Sequence, residues 1–216
     1  MIRILIVDDH PIICEGLRQI LQRTSDLNVV GAVYTGRDAL QQVLEQKIDL
    51  VLLDIAMPGR NGLEILSDLK RLKPSLPVLV LSMHAEAQYA GRALKAKASG
   101  YLTKATAAEE LITAIRKVAQ GGKYLSAAFA AELVYEAGSE KSTKALHETL
   151  SDREFQVMCR IAAGCTVKEI GEEMSLSVKT VSTYRRRLLD KMLLKNNAEV
   201  VRYVMQHGLV KPTGET

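Results

Sequence analysis

Apolar residues follow two rhythms over the first 120 positions and a single rhythm beyond position 150. Short runs rich in Val, Ile and Leu read as strands at Arg3–Val7, Val29–Val33, Leu50–Leu53, Val78–Ser82 and Gly100–Thr103. Three of these runs are continuously apolar, the pattern of parallel strands covered on both faces. Amphipathic segments alternate with them at about Ile12–Gln22, Gly36–Glu45, Gly62–Leu72, Glu86–Ala96 and Thr106–Gln120. Pro11 suits the first turn of the first helix, and Pro74 and Pro77 close the third. Five βα units predict a flavodoxin-like α/β fold: a five-stranded, doubly wound parallel sheet with right-handed crossovers.

Gly121-Gly122 breaks the fifth helix, Ala127–Glu136 has the pattern of one short helix, and Gly138–Thr149 is polar. Residues 121–149 therefore read as a linker, because loops of that length are uncommon inside a compact domain. From Leu150 to Val210 every element is helical, which predicts a small all-α domain over 150–216. Its first helix opens with a capping box, Ser151 three residues before Glu154. Phe155, Met158, Cys159 and Ala162 follow as its core face. Thr166–Met174 is a short second helix, Ser175-Leu176-Ser177 a turn, and Val178–Met192 a third helix. That third helix buries Val181, Leu188 and Met192, with Leu189 on the flank. Its opposite face carries Lys179, Ser182, Thr183, Arg186 and Arg187. Two helices joined by a tight turn, the second with a polar and basic face, form a helix-turn-helix pattern.

The 216 residues are 47% hydrophobic and 25% charged, values that exclude a disordered or fibrous chain. No apolar run reaches the roughly 18 residues that cross a bilayer, and the start turns acidic too soon for a signal peptide. Three cysteines, Cys14, Cys159 and Cys165, leave one unpaired in any disulfide scheme and form no C-x-x-C pair. They read as small thiols of a soluble, cytoplasmic protein. Residues 151–216 hold eleven Lys and Arg against eight Asp and Glu, whereas residues 1–150 are nearly balanced at eighteen against seventeen. Five of the eleven cations fall between Lys179 and Lys191. A focused basic helix argues for nucleic acid more strongly than net charge does.

Asp8-Asp9 follow the first strand and Asp54 the third. In the strand order 2-1-3-4-5 those strands are neighbours, so the three carboxylates converge where such sheets bind ligands. Two like charges 4 Å apart repel by about 4 kcal/mol at an effective dielectric near 20. A divalent cation resolves that conflict, and few carboxylates with open positions favour magnesium. Lys104 after the fifth strand adds a cation for a phosphoryl group, and Ser82 at the end of the fourth a hydroxyl. Taken singly, Asp8 or Asp9 could cap the first helix and Asp54 could form a turn. Such residues after four strands along one sheet edge make a site the better reading.

Val7-Asp8-Asp9-His10-Pro11, Leu53-Asp54-Ile55-Ala56-Met57-Pro58-Gly59, Leu81-Ser82-Met83-His84 and Ser99-Gly100-Tyr101-Leu102-Thr103-Lys104 resemble the receiver domain of two-component response regulators over residues 1–120. The resemblance implies that Asp54 accepts a phosphoryl group from a sensor histidine kinase. It implies that Asp9 and Asp54 hold magnesium directly and Asp8 through water, with the Ala56 carbonyl completing the ligands. Ser82 would then turn to the phosphoryl group, Tyr101 swing inward behind it, and Lys104 neutralise it. His10 and His84 flank the pocket. Lys97 stands where this subfamily commonly has glycine.

The helical domain resembles the LuxR-type helix-turn-helix of the NarL/FixJ response regulators, through Leu150–Glu154, Val167–Ile170, Leu176–Tyr184 and Leu194–Asn197. That resemblance implies that Ser182, Thr183 and Arg186 face base edges of double-stranded DNA. Lys179, Thr180, Tyr184, Arg187 and Lys191 would contact phosphates, which set affinity and register. The last helix, about Ala198–His207, would pair two copies into a homodimer on an inverted-repeat operator. Leu193 replaces a frequent glycine before that helix.

A transcription factor switched by phosphorylation at Asp54 is the leading reading, not an enzyme. An aspartyl phosphohydrolase of the haloacid-dehalogenase type is the alternative from another class. It places its nucleophile after the first strand in Asp-x-Asp, whereas Asp8 and Asp9 are adjacent here. A regulator that binds DNA without phosphorylation is the third reading, and the full set of pocket residues argues against it.

Overall fold

The computed structural model describes residues 1–57, 61–83, 86–127, 129–131 and 145–209. The chain divides into two compact units, Met1–Ala131 and Glu132–Thr216.

In the first unit, β1 (Ile2–Val7), β2 (Leu27–Val33), β3 (Leu50–Asp54), β4 (Val78–Ser82) and β5 (Gly100–Thr103) alternate with five helices. These are α1 (Pro11–Gln22), α2 (Gly36–Glu45), α3 (Gly62–Leu72), α4 (Glu86–Lys95) and α5 (Ala108–Ala119). All strands are parallel, in the order β2-β1-β3-β4-β5. Every residue of β3 and β4 is buried, as their unbroken apolar runs require. One face of the sheet presents Ile4, Ile6, Leu52, Leu79 and Leu81 to Cys14 and Leu21 of α1 and to Leu111, Ile115 and Val118 of α5. The helix boundaries differ from the sequence reading by one or two residues, mainly at α5, which starts at Ala108 rather than Thr106.

The register sets where the strand ends fall. Val7 pairs with Leu53, and Asp54 with Leu81. Lys104 N–H donates to the Ser82 carbonyl at 2.8 Å, which sets the end of β5 beside the end of β4. Gly62 at the start of α3 admits no side chain. An added Cβ would lie 2.3 Å from Ile55 Cα and 2.5 Å from the Asp54 carbonyl oxygen. The helix therefore closes directly onto the end of β3 and holds it.

After α5 a short extension returns to the sheet. Tyr124 bridges to Gly100 in parallel sense, and helical backbone begins at Ala127. Helical backbone continues at 129–131, whereas Ala128 and residues 132–136 of the short helix expected to Glu136 lie outside the described residues, as do Pro58, Gly59, His84 and Val210–Thr216.

In the second unit a 3-10 turn (Leu146–Thr149) precedes α6 (Asp152–Ala162), α7 (Val167–Glu173), α8 (Val178–Met192) and α9 (Asn197–Gln206). Both sides of the Ser151–Glu154 capping box form, and Thr166 with Glu169 makes a second one. Phe155, Met158, Ile170, Val181, Leu188, Met192, Val200 and Val204 build the core. Thr166 caps α7, so the short second helix is one residue shorter at each end than the sequence pattern drew it.

Two residues flagged in the sequence take left-handed backbone. Lys97 has φ 68° and Leu193 φ 56°, the latter as the C-cap of α8. Both stand where the resembling subfamilies commonly have glycine, and the chain keeps the turn rather than altering it.

Candidate functional site

Three strand ends bring the side chains of Asp8, Asp54 and Lys104 into one buried group. Asp8 and Asp54 are each 2% exposed. The Lys104 ammonium lies between them, 2.6 Å from Asp8 Oδ2 and 2.8 Å from Asp54 Oδ2. Burial pushes the Asp54 carboxyl above the ordinary carboxylate range, against the pull of hydrogen bonds from Lys104 and the Ala56 N–H. Burial alone would lower Lys104, but its bonds to Asp54 and Asp8 outweigh it and raise the ammonium.

Asp9 completes the cluster. Its Oδ1 is buried and accepts no hydrogen bond, although His10 Nδ1 lies 3.1 Å away. One ligand atom from each of Asp8, Asp9, His10 and Asp54 falls within 4.8 Å of the others. A buried carboxylate oxygen without a donor, among hard oxygen donors, is the environment a divalent cation relieves. His10 is placed more centrally than the sequence suggested. Its N–H donates to Asp8 Oδ1 at 2.9 Å, and its Nδ1 is 3.1 Å from the same oxygen. It is also the N-cap of α1, without a side-chain capping bond, so neither Asp8 nor Asp9 caps that helix. Asp54 does make a turn bond, accepting the Ala56 N–H at 2.9 Å.

Behind the carboxylates, Ser82 and Tyr101 are completely buried. Burial pushes the Tyr101 hydroxyl far up, opposed by a side-chain hydrogen bond with Ser82. The Tyr101 ring is thus inward here and coupled to the hydroxyl at the end of β4.

In the second unit, α8 exposes Lys179, Ser182, Thr183, Arg186, Arg187 and Lys191, while Thr180 and Tyr184 are half-buried. Several of these already have partners. The Thr183 hydroxyl donates to the Lys179 carbonyl at 2.9 Å, and Thr180 N–H donates to Ser177 at 3.1 Å. Arg186 lies 3.9 Å from Asp190, both well exposed, so that pair is weak. Lys191 differs more from expectation, because its ammonium sits 2.6 Å from Glu154 Oε2, a carboxylate 4% exposed. Burial pushes Glu154 up, but bonds from Lys191 and from Ser151 outweigh it and hold the carboxyl low. Arg185 also faces inward, donating to Asn197 Oδ1 at 2.6 Å and tying α8 to α9. Neither contact has a signature in the sequence, since each joins residues on different helices. What α8 leaves facing solvent is a polar and basic surface one helix face wide, with Lys179, Ser182, Thr183, Arg186 and Arg187 on it.

Comparison with known proteins places both halves. Residues 4–116 match the response regulator receiver domain, and residues 148–204 match the bacterial regulatory proteins of the luxR family. The chain is 34% identical over 209 residues to the response regulator UvrY of Escherichia coli K12, covering 97% of this chain and 96% of that one. It is 36% identical over 210 residues to the response regulator GacA of Pseudomonas aeruginosa, covering 97% and 98%. Among solved structures it resembles RcsB of Salmonella enterica serovar Typhimurium bound to promoter rprA with the phosphomimetic BeF3-. That match has a TM-score of 0.65 and 25% identity, over 94% of this chain and 98% of that one.

Proposed function

The chain belongs to the response regulators that join a receiver domain to a LuxR-type DNA-binding domain, and we propose from that premise how its residues divide the work. It is a DNA-binding regulator in a two-component system. Asp54 is the phospho-acceptor. One of its oxygens attacks phosphorus as the P–N bond of a histidine kinase's phosphohistidine breaks, giving an acyl phosphate and a free imidazole. The observation that carries this reading is the Lys104 ammonium held between Asp8 and Asp54 in a buried site, beside an Asp9 oxygen without a donor.

Asp8, Asp9 and Asp54, with the Ala56 carbonyl, are the residues that would hold magnesium. When bound, it supplies positive charge beside the incoming phosphoryl oxygens. Asp8 fixes Lys104, and Lys104 neutralises the phosphoryl group once Asp54 carries it. Ser82 offers its hydroxyl to that group by exchanging its bond with Tyr101. On α8, Ser182, Thr183 and Arg186 read base edges, and Lys179, Thr180, Tyr184 and Arg187 meet phosphates. Lys191 takes a phosphate only by sharing its ammonium with Glu154. Residues 121–149 link the domains, the protein works in the cytoplasm, and α9 pairs two copies on an inverted repeat of double-stranded DNA.

Labelling by acetyl phosphate with magnesium tests the assignment. Wild-type protein takes up one phosphoryl group. Asp54→Asn takes up none, because an amide is a poor nucleophile, and Asp9→Ala loses the reaction with its ligand oxygen. Unchanged labelling of Asp54→Asn refutes the reading.

A further inference from the structure

The segment Lys123–Ser126, which follows the Gly121-Gly122 break, is held against the receiver by three sets of contacts. First, Tyr124 adds a parallel edge to β5. Its carbonyl accepts Tyr101 N–H at 3.1 Å, and its N–H donates to the Ser99 carbonyl at 3.0 Å. Second, Ser126 N–H donates to Glu86 Oε1 at 3.0 Å, so the first residue of α4 holds the segment from the other side. Third, Lys123 Nζ donates to the Ala98 carbonyl at 2.6 Å, and Phe129 is 8% exposed, so the segment is anchored at both ends.

Gly100 makes this docking feasible. An added Cβ there would lie 2.6 Å from the Tyr124 carbonyl oxygen and 2.9 Å from Leu79 Cδ1. The approach is backbone to backbone, which a methyl group would separate.

Tyr101 is therefore held twice. Its hydroxyl bonds Ser82, at the end of β4, and its backbone N–H bonds Tyr124. Glu86 likewise begins the helix that follows Ser82 in the chain. A change in the Ser82–Tyr101 bond therefore falls on the residue whose backbone holds Tyr124, and just ahead of the helix whose first residue holds Ser126. That segment is the opening of the linker to the DNA-binding unit. We propose that the Tyr124–Ser126 segment is the output element of the receiver, and that Glu86 and Gly100 are its positioning residues. The inference rests on Asp54 being the acceptor, and it adds where the signal leaves the domain. The phosphoryl chemistry lies at the carboxyl ends of β1 and β3, whereas Glu86 and Gly100 touch none of its carboxylates among the described contacts.

The full chain provides the test. Acetyl phosphate labelling and DNA affinity, with and without phosphodonor, are measured for wild type, Glu86→Ala, Glu86→Gln and Gly100→Ala. A coupling of ordinary allosteric size makes the wild-type affinity ratio about 5- to 150-fold. Glu86→Ala and Gly100→Ala should be labelled as wild type while their ratio falls to within about twofold of one, on the same scale. Glu86→Gln keeps an oxygen to accept Ser126 N–H and should restore the ratio, which a general packing role would not require. If Gly100→Ala does not fold, the Glu86 pair decides alone. A wild-type ratio in Glu86→Ala overturns the proposal, and so does loss of its labelling, which would put Glu86 in the chemistry. Wild-type protein that takes no label overturns the Asp54 reading itself.

Discussion

Leu193 is a leucine in a glycine's conformation, and the cost can be worked out. It caps α8 at φ 56°, ψ 35°. A residue with a Cβ loses about 1–2 kcal/mol in the left-handed region. Replacing it with glycine returns about 0.5–1 kcal/mol of that to the unfolded chain, which becomes freer. Leu193 is 83% exposed, so the apolar area it hides is small. Full burial of a leucine contributes about 1.5–3 kcal/mol, so the hidden sixth contributes roughly 0.4 kcal/mol. Leu193→Gly should therefore stabilise the C-terminal unit by about 0.4 kcal/mol, from those same terms. Leu193→Ala is the informative partner, because it loses the same buried area and keeps the strain. The glycine variant should exceed the alanine variant by about 0.75 kcal/mol, or roughly 3–6 °C in a unit of this size. Calorimetry of the full chain reads both. A glycine variant no more stable than the alanine variant would show that the turn at Leu193 is not strained.

Lys97→Gly should stabilise the receiver by a similar margin, about 0.7 kcal/mol, since the Lys97 side chain is exposed; thermal unfolding checks it. Lys191→Ala should destabilise the C-terminal unit by about 1–2 kcal/mol at pH 7, a value discounted because Lys191 is 43% exposed. The Glu154 carboxyl is lowered in the fold, so its contribution is complete above the unfolded carboxylate range and fades as pH falls through the folded value; the wild type's advantage over Lys191→Ala should shrink with it in acid denaturation. Arg186→Ala should cost about 1–3 kcal/mol of DNA affinity and relax specificity at one base position, whereas Lys179→Ala should weaken all sequences and lower the salt slope by about one; binding titrations over several salt concentrations separate them.

The sheet was legible because both faces of β3 and β4 are covered, which forces an unbroken apolar run, and because each helix shows one apolar stripe. The acidic pocket was legible for a related reason. Parallel strands end at one edge, so Asp8, Asp9, Asp54, Ser82 and Lys104 could be gathered by counting strand ends. Contacts between elements were not legible. Glu154 and Lys191 lie 37 positions apart on different helices, and Tyr124 pairs with β5 through a single bridge, too short to set a period. The central place of His10 was hidden because its ring position depends on the turn into α1. Left-handed backbone at Lys97 and Leu193 was visible only as a missing glycine, with nothing in the side chains to say whether the turn or the residue yields.

On the proposed function, a phosphoryl group on Asp54 acts on DNA through shape rather than charge. Asp54 belongs to one compact unit and the basic face of α8 to another, each with its own core. Surface charges are largely screened beyond a Debye length of about 8 Å at physiological salt. Asp54 is buried besides, and the Lys104 ammonium already offsets charge beside it. What the new group can change is the set of hydrogen bonds within reach of it, and Ser82 is the hydroxyl in that set whose bond runs onward to Tyr101. Interiors packed this closely shift between discrete arrangements rather than yielding by degrees. On the proposed function the receiver therefore works as a two-state part. It follows that the isolated chain from Leu150 onward should bind DNA without any phosphodonor, while the full chain should respond to one by changing its affinity, its mass or both.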